Sequence, residues 1–488
     1  MSNFMPDTGI FLVIQQKNPK GDGMTQTAQM AAFALSGDYE RLSAGHVQKL
    51  KLHLLDSLAS FVWSRHQELP KNVARALAFL NGNGNANATT LPLDHLAQLY
   101  TTYIRYPDFM DNFLAKEATC HPSDNIGLLL AASQGRSVSG KQFLMAMAVS
   151  YAIQCRLTQQ LPVMINGHDH TALLAFSATA GGGRLMGLDE VMLGNALGIA
   201  GNNLNPFVTS RASYTTQWKG LASSLVNASC MNILSVALTG ITGPDQLFEI
   251  PEKGYNAISG LTLDYDWKKE DFSLLDRCIL KTYNAEVHTQ VTLEIICKLA
   301  SEHALDPDQV SEIDITIFLT AFHIVGGGEY GDRTAVYSKE QADHSLPYLA
   351  AVALLDKEVY PPQLTPDRIN SDDVQALLKK VKVHTRFPLH RPTKLAGILD
   401  PYTEAYPEWT KCKVEMSLTN GTKLQCEAAD FEGFFTRPLS AAAVQGKFEK
   451  LNHAYLNKMD IAAIFSMVNN LEDFYVDDLL QVVLRDGK

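Results

Sequence analysis

Residues 43–63, SAGHVQKLKLHLLDSLASFVW, contain the clearest structural pattern in the sequence. Their apolar residues recur at steps of three and four, which places them on one face of an α-helix: Val47, Leu50, Leu54, Leu58, Phe61 and Val62. Further along, Ser139 suits the N-cap of another helix, and the alanine-rich stretches 171–180 and 190–200 favour closely packed helices. Residues 25–275 are therefore predicted to form a mainly helical domain.

The pattern changes near residue 276, where strand signals begin. Glu312–Phe318 alternates isoleucine with polar residues, and Val381–Thr385 fits a second short strand. Cys412–Cys426 carries two alternating runs on either side of Asn420-Gly421, which is a strong signal for a β-hairpin. Helical segments lie between these strands, so residues 276–434 are predicted to form a smaller α/β domain.

The two ends of the chain complete the predicted organisation. Helical periodicity returns after Pro438, so we expect residues 435–488 to pack back onto the first domain. The α/β unit would then hang on two chain crossings, as a lid does. Residues 1–24 are expected to be a leader, either disordered or an upstream start, and are left out of the fold. The expected class is mainly α, with a large all-helical domain and a smaller α/β lid domain.

Composition and charge exclude several classes of function. The 488 residues include 41 Lys+Arg and 52 Asp+Glu, a formal net charge of −11, which disfavours a general binder of nucleic acid or anionic membranes. A small anionic substrate stays possible because a few convergent lysines set the local field. No apolar run approaches the roughly 18–20 residues of a membrane span.

The seven cysteines form no C-x-x-C pair and their number is odd, which disfavours a disulfide framework, a cysteine-ligated zinc and an iron–sulfur cluster. We therefore expect reduced thiols in a cytoplasmic protein.

A first candidate functional segment contains Asp108, Asp111 and Asn112, followed by His121. Residues three apart share a face of a helical turn, so both carboxylates could face one cleft. A nearby carboxylate orients a histidine ring and raises its basicity, which favours His121 as an acid or base. Helix capping by these polar residues is the structural alternative.

A second segment, Gly167-His168-Asp169-His170, precedes an alanine-rich stretch. Its H-x-H spacing invites a metal, but no third ligand of matching type lies nearby, so a metal is disfavoured. An acid/base or anion site at a helix N-terminus and a simple helix cap both stay open. Alternate residues of an extended turn face opposite ways, so either His168 or His170 points into a cleft.

Lys219 and Lys281 are the candidate cations. Lys219 lies among small polar residues and Lys281 follows the apolar Cys278-Ile279-Leu280, so each could be a partly buried ammonium that pairs with carboxylates. A solvated surface lysine is the alternative. Together, histidine acids or bases, aspartates and lysines suit proton abstraction next to a carboxylate, followed by loss of a β-leaving group.

These motifs also carry a family resemblance. From about Thr25 to about Leu451 the sequence resembles the MmgE/PrpD family, which includes 2-methylcitrate dehydratase, cis-aconitate decarboxylase and iminodisuccinate epimerase. The resemblance rests on five short motifs in the same order: Asp108-Phe-Met-Asp111-Asn112 with His121-Pro-Ser-Asp-Asn, Gly167-His-Asp-His170, Gln217-Trp-Lys219-Gly, Lys281 with Ala285-Glu286-Val-His288-Thr-Gln290, and Asp343-His-Ser-Leu-Pro-Tyr348. It implies a helical domain with an α/β lid, an active site between them, a homodimer, and no metal or organic cofactor.

The resemblance also implies roles for individual residues. Catalytic roles fall to Asp108, His121 and the lid tyrosine Tyr348, together with His168, as in the decarboxylase branch, or His170, as in the dehydratase branch. Binding of the substrate falls to Lys219, Lys281 and Asp169. Asp111 and Asn112 of the first segment are further candidates for binding the substrate.

Departures from the family pattern bear on the substrate. Methylcitrate dehydratases typically read Asn-Asp-Thr-Trp where this chain has Met-Asp-Asn-Phe at 110–113, and Cys-Ile-Gln-Tyr where it has Ser-Leu-Pro-Tyr at 345–348. Asp124-Asn125 and Glu286, however, are closer to the dehydratases than to the decarboxylases. The expected function is dehydration of 2-methylcitrate to 2-methylaconitate. The alternatives are decarboxylation of cis-aconitate to itaconate and a catalytically silent relative that binds a metabolite or partner.

Overall fold

The computed structural model describes residues 23–82, 91–212, 215–386 and 399–485. All but the last two positions of the expected leader, 1–24, lie outside these residues. The described chain is mainly helical with a small sheet region, which confirms the predicted mainly-α class.

The helices begin where the sequence supplies caps. The helix predicted from residues 43–63 spans Ala44–Arg65, and Ser43 Oγ accepts a hydrogen bond from the backbone N–H of His46 at 3.1 Å. Ser139 caps helix Gly140–Gln160 and forms a capping box with Gln142. The α-helices of the described residues span Gln26–Leu35, Ala44–Arg65, Glu68–Leu80, Leu93–Arg105, Ile126–Ser133, Gly140–Gln160, Thr171–Met186, Glu190–Asn203, Ala222–Leu238, Tyr255–Ser259, Gln290–Glu302, Leu319–Val325, Lys339–Ala342, Leu346–Asp356, Pro366–Ile369, Asp372–Leu378, Pro401–Ala405, Ala441–Asn452, Lys458–Asn469 and Val476–Val483.

The strands form a two-stranded and a four-stranded sheet. They are β1 (Phe113–Ala115), β2 (Ala118–Cys120), β3 (Val310–Ile317), β4 (Val381–His384), β5 (Cys412–Leu418) and β6 (Lys423–Ala428). The larger sheet has the order β4-β3-β5-β6, with β3 and β4 parallel and the other pairs antiparallel. Gly421 adopts φ +85° in the β5–β6 turn, a conformation that glycine takes without strain, and the predicted hairpin is confirmed. The β1–β2 hairpin interrupts the region that the sequence predicts as helical.

The buried apolar side chains form two clusters. The helical cluster draws on residues from Met30 to Leu280 and on the C-terminal helices, including Val444 and Phe448. The α/β cluster draws mainly on residues 285–434. The C-terminal helices thus share a core with the N-terminal ones, while the domain boundaries at 275 and 434 stay a prediction.

Among the described helices, none combines the length and the apolar character that a membrane crossing would require.

Candidate active site

A pocket lies where the two clusters meet. Its empty space, including the open mouth, is about 520 Å³. Most of its polar side chains are buried, so their charges interact strongly. The lining comes from both sides of the junction: Arg105, Asp108, Asn112, Thr119, His121, Met164, His170, Arg211, Lys281, Glu286, Val287, Ile324, Tyr330 and His344.

Asp108 is an anion that gathers cations at this pocket. Its Oδ1 accepts hydrogen bonds from Arg105 at 3.0 Å and from Lys281 Nζ at 3.1 Å. Its Oδ2 lies 2.9 Å from Lys219 Nζ. Burial alone would raise the pKa of Asp108, but Lys219, Lys281 and Arg105 outweigh burial and hold this pKa well below its usual range.

Lys219 lies beside the pocket lining and connects the two clusters. Its Nζ donates to Asp343 Oδ1 at 2.7 Å and lies 2.9 Å from His344 Nδ1, and both residues come just before helix Leu346–Asp356 of the α/β cluster. Lys219 therefore pairs with two carboxylates of the protein itself, those of Asp108 and Asp343. Lys281, by contrast, lines the pocket and also donates to the backbone carbonyl of Asp108 at 2.9 Å.

His121 lines the pocket in a defined tautomer. Its Nδ1 lies 2.8 Å from the backbone carbonyl oxygen of Asp111. A carbonyl oxygen only accepts, so Nδ1 carries the proton and Nε2 of the neutral ring has a free electron pair. Burial, together with the charges of Arg105 and His170, holds the pKa of His121 well below its usual range. His121 is therefore a neutral base at neutral pH.

The expected pairing of Asp108 and Asp111 on one helical turn is wrong. Asp108 has a left-handed backbone at φ +58°, beyond the end of helix Leu93–Arg105, so the two side chains diverge. The Asp111 carboxylate is buried against His53 Nδ1 at 2.8 Å and the backbone N–H of Ser123 at 2.9 Å. It does not line the pocket, and its carbonyl rather than its carboxylate orients His121.

His170 is the histidine of the Gly167–His170 turn that faces the pocket. Its ring packs edge-on against His121, with centroids 5.3 Å apart, so it lies beside His121 rather than across from it. Burial, only partly opposed by Asp169, lowers the pKa of His170 to about 3. His168 turns away and stacks on the exposed Phe207 at 6.1 Å, as alternation along an extended turn requires.

Asp169 serves the structure of this turn. Its Oδ1 accepts from the backbone N–H of Thr171 at 2.9 Å, at the start of helix Thr171–Met186. Its Oδ2 accepts from Arg211 Nε at 2.8 Å, which holds the Arg211 side chain at the pocket. Asp169 itself is fully buried and lies outside the lining, so its contacts are with the protein itself.

Tyr348 does not reach the pocket, contrary to the expectation of a lid tyrosine. It lies on the first turn of helix Leu346–Asp356, and its hydroxyl donates to the backbone carbonyl of Gln363 within the α/β cluster. The pocket instead contains Tyr330, which follows the glycines 326–328 and carries no signal of its own in the sequence.

His344 and Glu286 are pocket residues that reasoning from the sequence did not select. Both lie inside the motifs that carry the family resemblance, and membership of these motifs is the sequence signal that could have identified them as site residues. His344 Nδ1 lies 2.9 Å from a donor, Lys219, and 2.8 Å from an acceptor, Asp343, so either tautomer of the ring has a partner. His344 can therefore present its Nε2 as a proton donor or as an acceptor.

One group of possible metal ligands occurs among the described residues. Ligand atoms of Asp108, Asp343 and His344 lie within 4.8 Å of one another. The Lys219 ammonium contacts all three groups at 2.7–2.9 Å, so it occupies the position that a cation would take.

Two family models match the chain, one in its N-terminal part and one in its C-terminal part. The MmgE/PrpD N-terminal domain model matches residues 28–266, and the MmgE/PrpD C-terminal domain model matches residues 283–473. The chain belongs to the MmgE/PrpD family.

Named relatives of this MmgE/PrpD protein include two kinds of enzyme. It is 22% identical to cis-aconitate decarboxylase of Mus musculus over 91% of this chain and 90% of the relative, and 22% identical to the Homo sapiens enzyme over 91% and 92%. It is also 22% identical to a mitochondrial 2-methylcitrate dehydratase of Yarrowia lipolytica, over 58% of this chain and 56% of the relative.

Proposed function

We propose that the protein is a lyase that removes water from a small hydroxy tricarboxylate, with 2-methylcitrate as the preferred substrate. The α/β part, residues 276–434, would close over the pocket as a lid. One observation carries the proposal. In the same buried pocket, His121 presents a free Nε2 electron pair next to the cations Lys281 and Arg105.

The chemistry follows from these groups. His121 Nε2 takes the proton from the carbon next to a substrate carboxylate, and Lys281 and Arg105 stabilise the negative charge that develops on that carboxylate. The electron pair forms the double bond as the β-hydroxyl leaves. His344 donates the Nε2 proton to the departing hydroxide, which leaves as water, and the Lys219 ammonium transfers a proton to Nδ1, so that the ring stays neutral and Lys219 becomes the neutral amine.

The relatives support a lyase that acts on tricarboxylates. A second candidate, decarboxylation of cis-aconitate, is favoured by the extent of the similarity, because the decarboxylases match about nine tenths of the chain and the dehydratase 58%. The pocket favours dehydration, because Glu286 adds a carboxylate that can accept a hydrogen bond from a hydroxyl but not from cis-aconitate.

A substrate panel tests the proposal. The purified protein is incubated with 2-methylcitrate, citrate and cis-aconitate, while absorbance near 240 nm follows the conjugated double bond and released CO₂ is measured. Dehydration predicts rising absorbance without CO₂ from 2-methylcitrate, and decarboxylation predicts CO₂ from cis-aconitate. If none of the three is turned over, the lyase proposal is overturned and the silent, metabolite-binding alternative takes its place.

We also infer that the protein acts as a cytoplasmic homodimer. Exposed apolar side chains support the dimer: Ile165, Phe207 and Ile258 are 57%, 70% and 72% exposed. Their segments are neighbours, since His168 pairs with Phe207 and Asn166 donates to the carbonyl of Ser259. Light scattering should give twice the chain mass for the native protein and the single-chain mass for Phe207→Asp.

A further inference from the structure

Glu286 is a buried pocket carboxylate whose oxygens are both held by one residue. Oε2 accepts from the backbone N–H of His288 at 2.8 Å, and Oε1 lies 2.7 Å from His288 Nδ1. The Glu286 N–H donates to the carbonyl of Asp343 at 2.9 Å, which ties the segment to the helix that follows His344. A carboxylate oxygen accepts more than one hydrogen bond, so Glu286 keeps acceptor capacity toward the pocket it lines.

A second contact fixes the orientation of His288. Its Nε2 lies 3.0 Å from the hydroxyl of Tyr406, and its ring packs against both Tyr406 and Phe318. An ionised carboxylate only accepts, so Nδ1–H donates to Glu286 and the Tyr406 hydroxyl donates to Nε2. Burial alone would raise the pKa of Glu286, but His288, His344 and Lys281 outweigh burial and lower it, so the carboxylate stays ionised.

An ionised carboxylate repels an anionic ligand, so its presence in a pocket for an anion is favourable only if the ligand brings a hydrogen-bond donor. An ionised hydroxy tricarboxylate has one such donor, its hydroxyl group. A carboxylate that accepts this hydrogen bond gains a charge-assisted contact, whereas the same carboxylate repels a ligand without the hydroxyl.

We propose that Glu286 binds the hydroxyl group of the substrate, and that His288 and Tyr406 position Glu286 for this contact. The inference rests on the proposed function and makes it more specific: the pocket selects hydroxy tricarboxylates over tricarboxylates that lack the hydroxyl. Once the hydroxyl has left as water, Glu286 faces a product without a donor, which favours release of the product.

A matched pair of ligands tests the inference through binding affinity, and the measurement is repeated in His121→Asn so that turnover of citrate does not affect it. Citrate and propane-1,2,3-tricarboxylate differ by the hydroxyl alone, and their Kd values are measured by calorimetry. The native protein should bind citrate at least about tenfold more tightly. A ratio near one, with normal turnover in the substrate panel, overturns the inference and leaves the proposed function intact. Binding of neither ligand, with no turnover, overturns both.

Variants then assign the preference to named residues. Glu286→Gln should reduce the ratio below about threefold, largely by tightening propane-1,2,3-tricarboxylate, because the repulsion is removed. His288→Ala and Tyr406→Phe should reduce the ratio while leaving the Kd of propane-1,2,3-tricarboxylate nearly unchanged. Glu358→Gln, a surface carboxylate paired with Lys450, is the matched control and should keep the native ratio. An unchanged ratio in Glu286→Gln would assign the hydroxyl to another residue.

Discussion

The stability of the protein should depend on pH through the buried histidines of the pocket, and His170→Asn isolates one of them. Burial, partly opposed by Asp169, lowers the pKa of His170 from 6.5 to about 3. Between these two pH values the unfolded chain binds a proton at this histidine that the folded protein does not bind. The free energy of unfolding therefore falls as the pH falls below 6.5, by up to about 1.4 kcal/mol per pH unit.

The magnitude can be followed over a convenient window. Between pH 6 and pH 5 the unfolded histidine is mostly protonated, so His170 alone should cost the native protein roughly 1 kcal/mol. His121 and His344, whose pKa values are lowered mainly by burial, act in the same direction. Carboxylates with lowered pKa values, such as Asp108, lose their stabilising contribution only at lower pH, below the unfolded value of about 4. Asp124, whose pKa burial raises to about 6, acts in the opposite direction in the window from pH 6 to pH 5, so the contribution of His170 is taken from the difference between the native protein and His170→Asn.

Urea unfolding followed by circular dichroism at several pH values between 5 and 7.5 measures this slope. Toward pH 5, the free energy of unfolding of His170→Asn should fall less steeply than that of the native protein. The difference in slope should correspond to about one bound proton, whatever the stability of the variant at pH 7.5. His453→Asn, at an exposed histidine, is the control and should keep the native slope. Identical slopes for the native protein and His170→Asn would contradict the assignment of a neutral, buried ring.

Three further predictions concern activity and are measured in the substrate panel described above. His121→Asn should lower kcat by roughly two to four orders of magnitude with an unchanged circular dichroism spectrum, because the accepting nitrogen is lost; near-normal kcat in the folded variant would end its role as the base. Lys281→Ala and Lys219→Ala should each raise KM and lower kcat/KM at least about tenfold, and Lys219→Ala should also destabilise the fold by about 1.5–3 kcal/mol because it removes one of the cations that Asp108 and Asp343 bind; full activity in either would make that lysine dispensable. Dialysis against a chelator should leave activity unchanged, since Lys219 occupies the position among Asp108, Asp343 and His344; loss that is restored by a metal would refute this.

The elements that could be predicted from the sequence are those set by local chemistry. The helix after Ser43 and the β5–β6 hairpin around Asn420-Gly421 follow from periodicity, a cap and a turn, each contained within about twenty residues. The β1–β2 hairpin was missed because its strands have three residues each, too few for an alternating pattern to stand out.

Only part of the candidate site was predictable as residues, and its geometry was not predictable. Lys281, His121 and Asp108 reach the pocket as expected, yet the divergence of Asp108 from Asp111 depends on a left-handed residue that no periodicity signals. Tyr348 was expected at the pocket from its motif, but its hydroxyl is satisfied inside the α/β cluster. Which polar group faces a cavity is decided by partners distant in sequence, and these partners are known only from the fold.

The two apolar clusters divide the proposed acid–base groups between them, and one ion network holds these groups in place. His121 and His170 stand on segments of the helical cluster, whereas His344 stands at the start of a helix in the α/β cluster. Lys219 bridges the two by binding Asp108 at 2.9 Å and Asp343 at 2.7 Å. Separating the clusters would break the buried Lys219–Asp343 ion pair at a cost of about 1.5–3 kcal/mol. Lys219 contacts His344 and therefore also resists any movement of His344 away from His121. The strength of the ion pairs between Lys219, Asp108 and Asp343 thus sets how well the proposed acid and base are aligned.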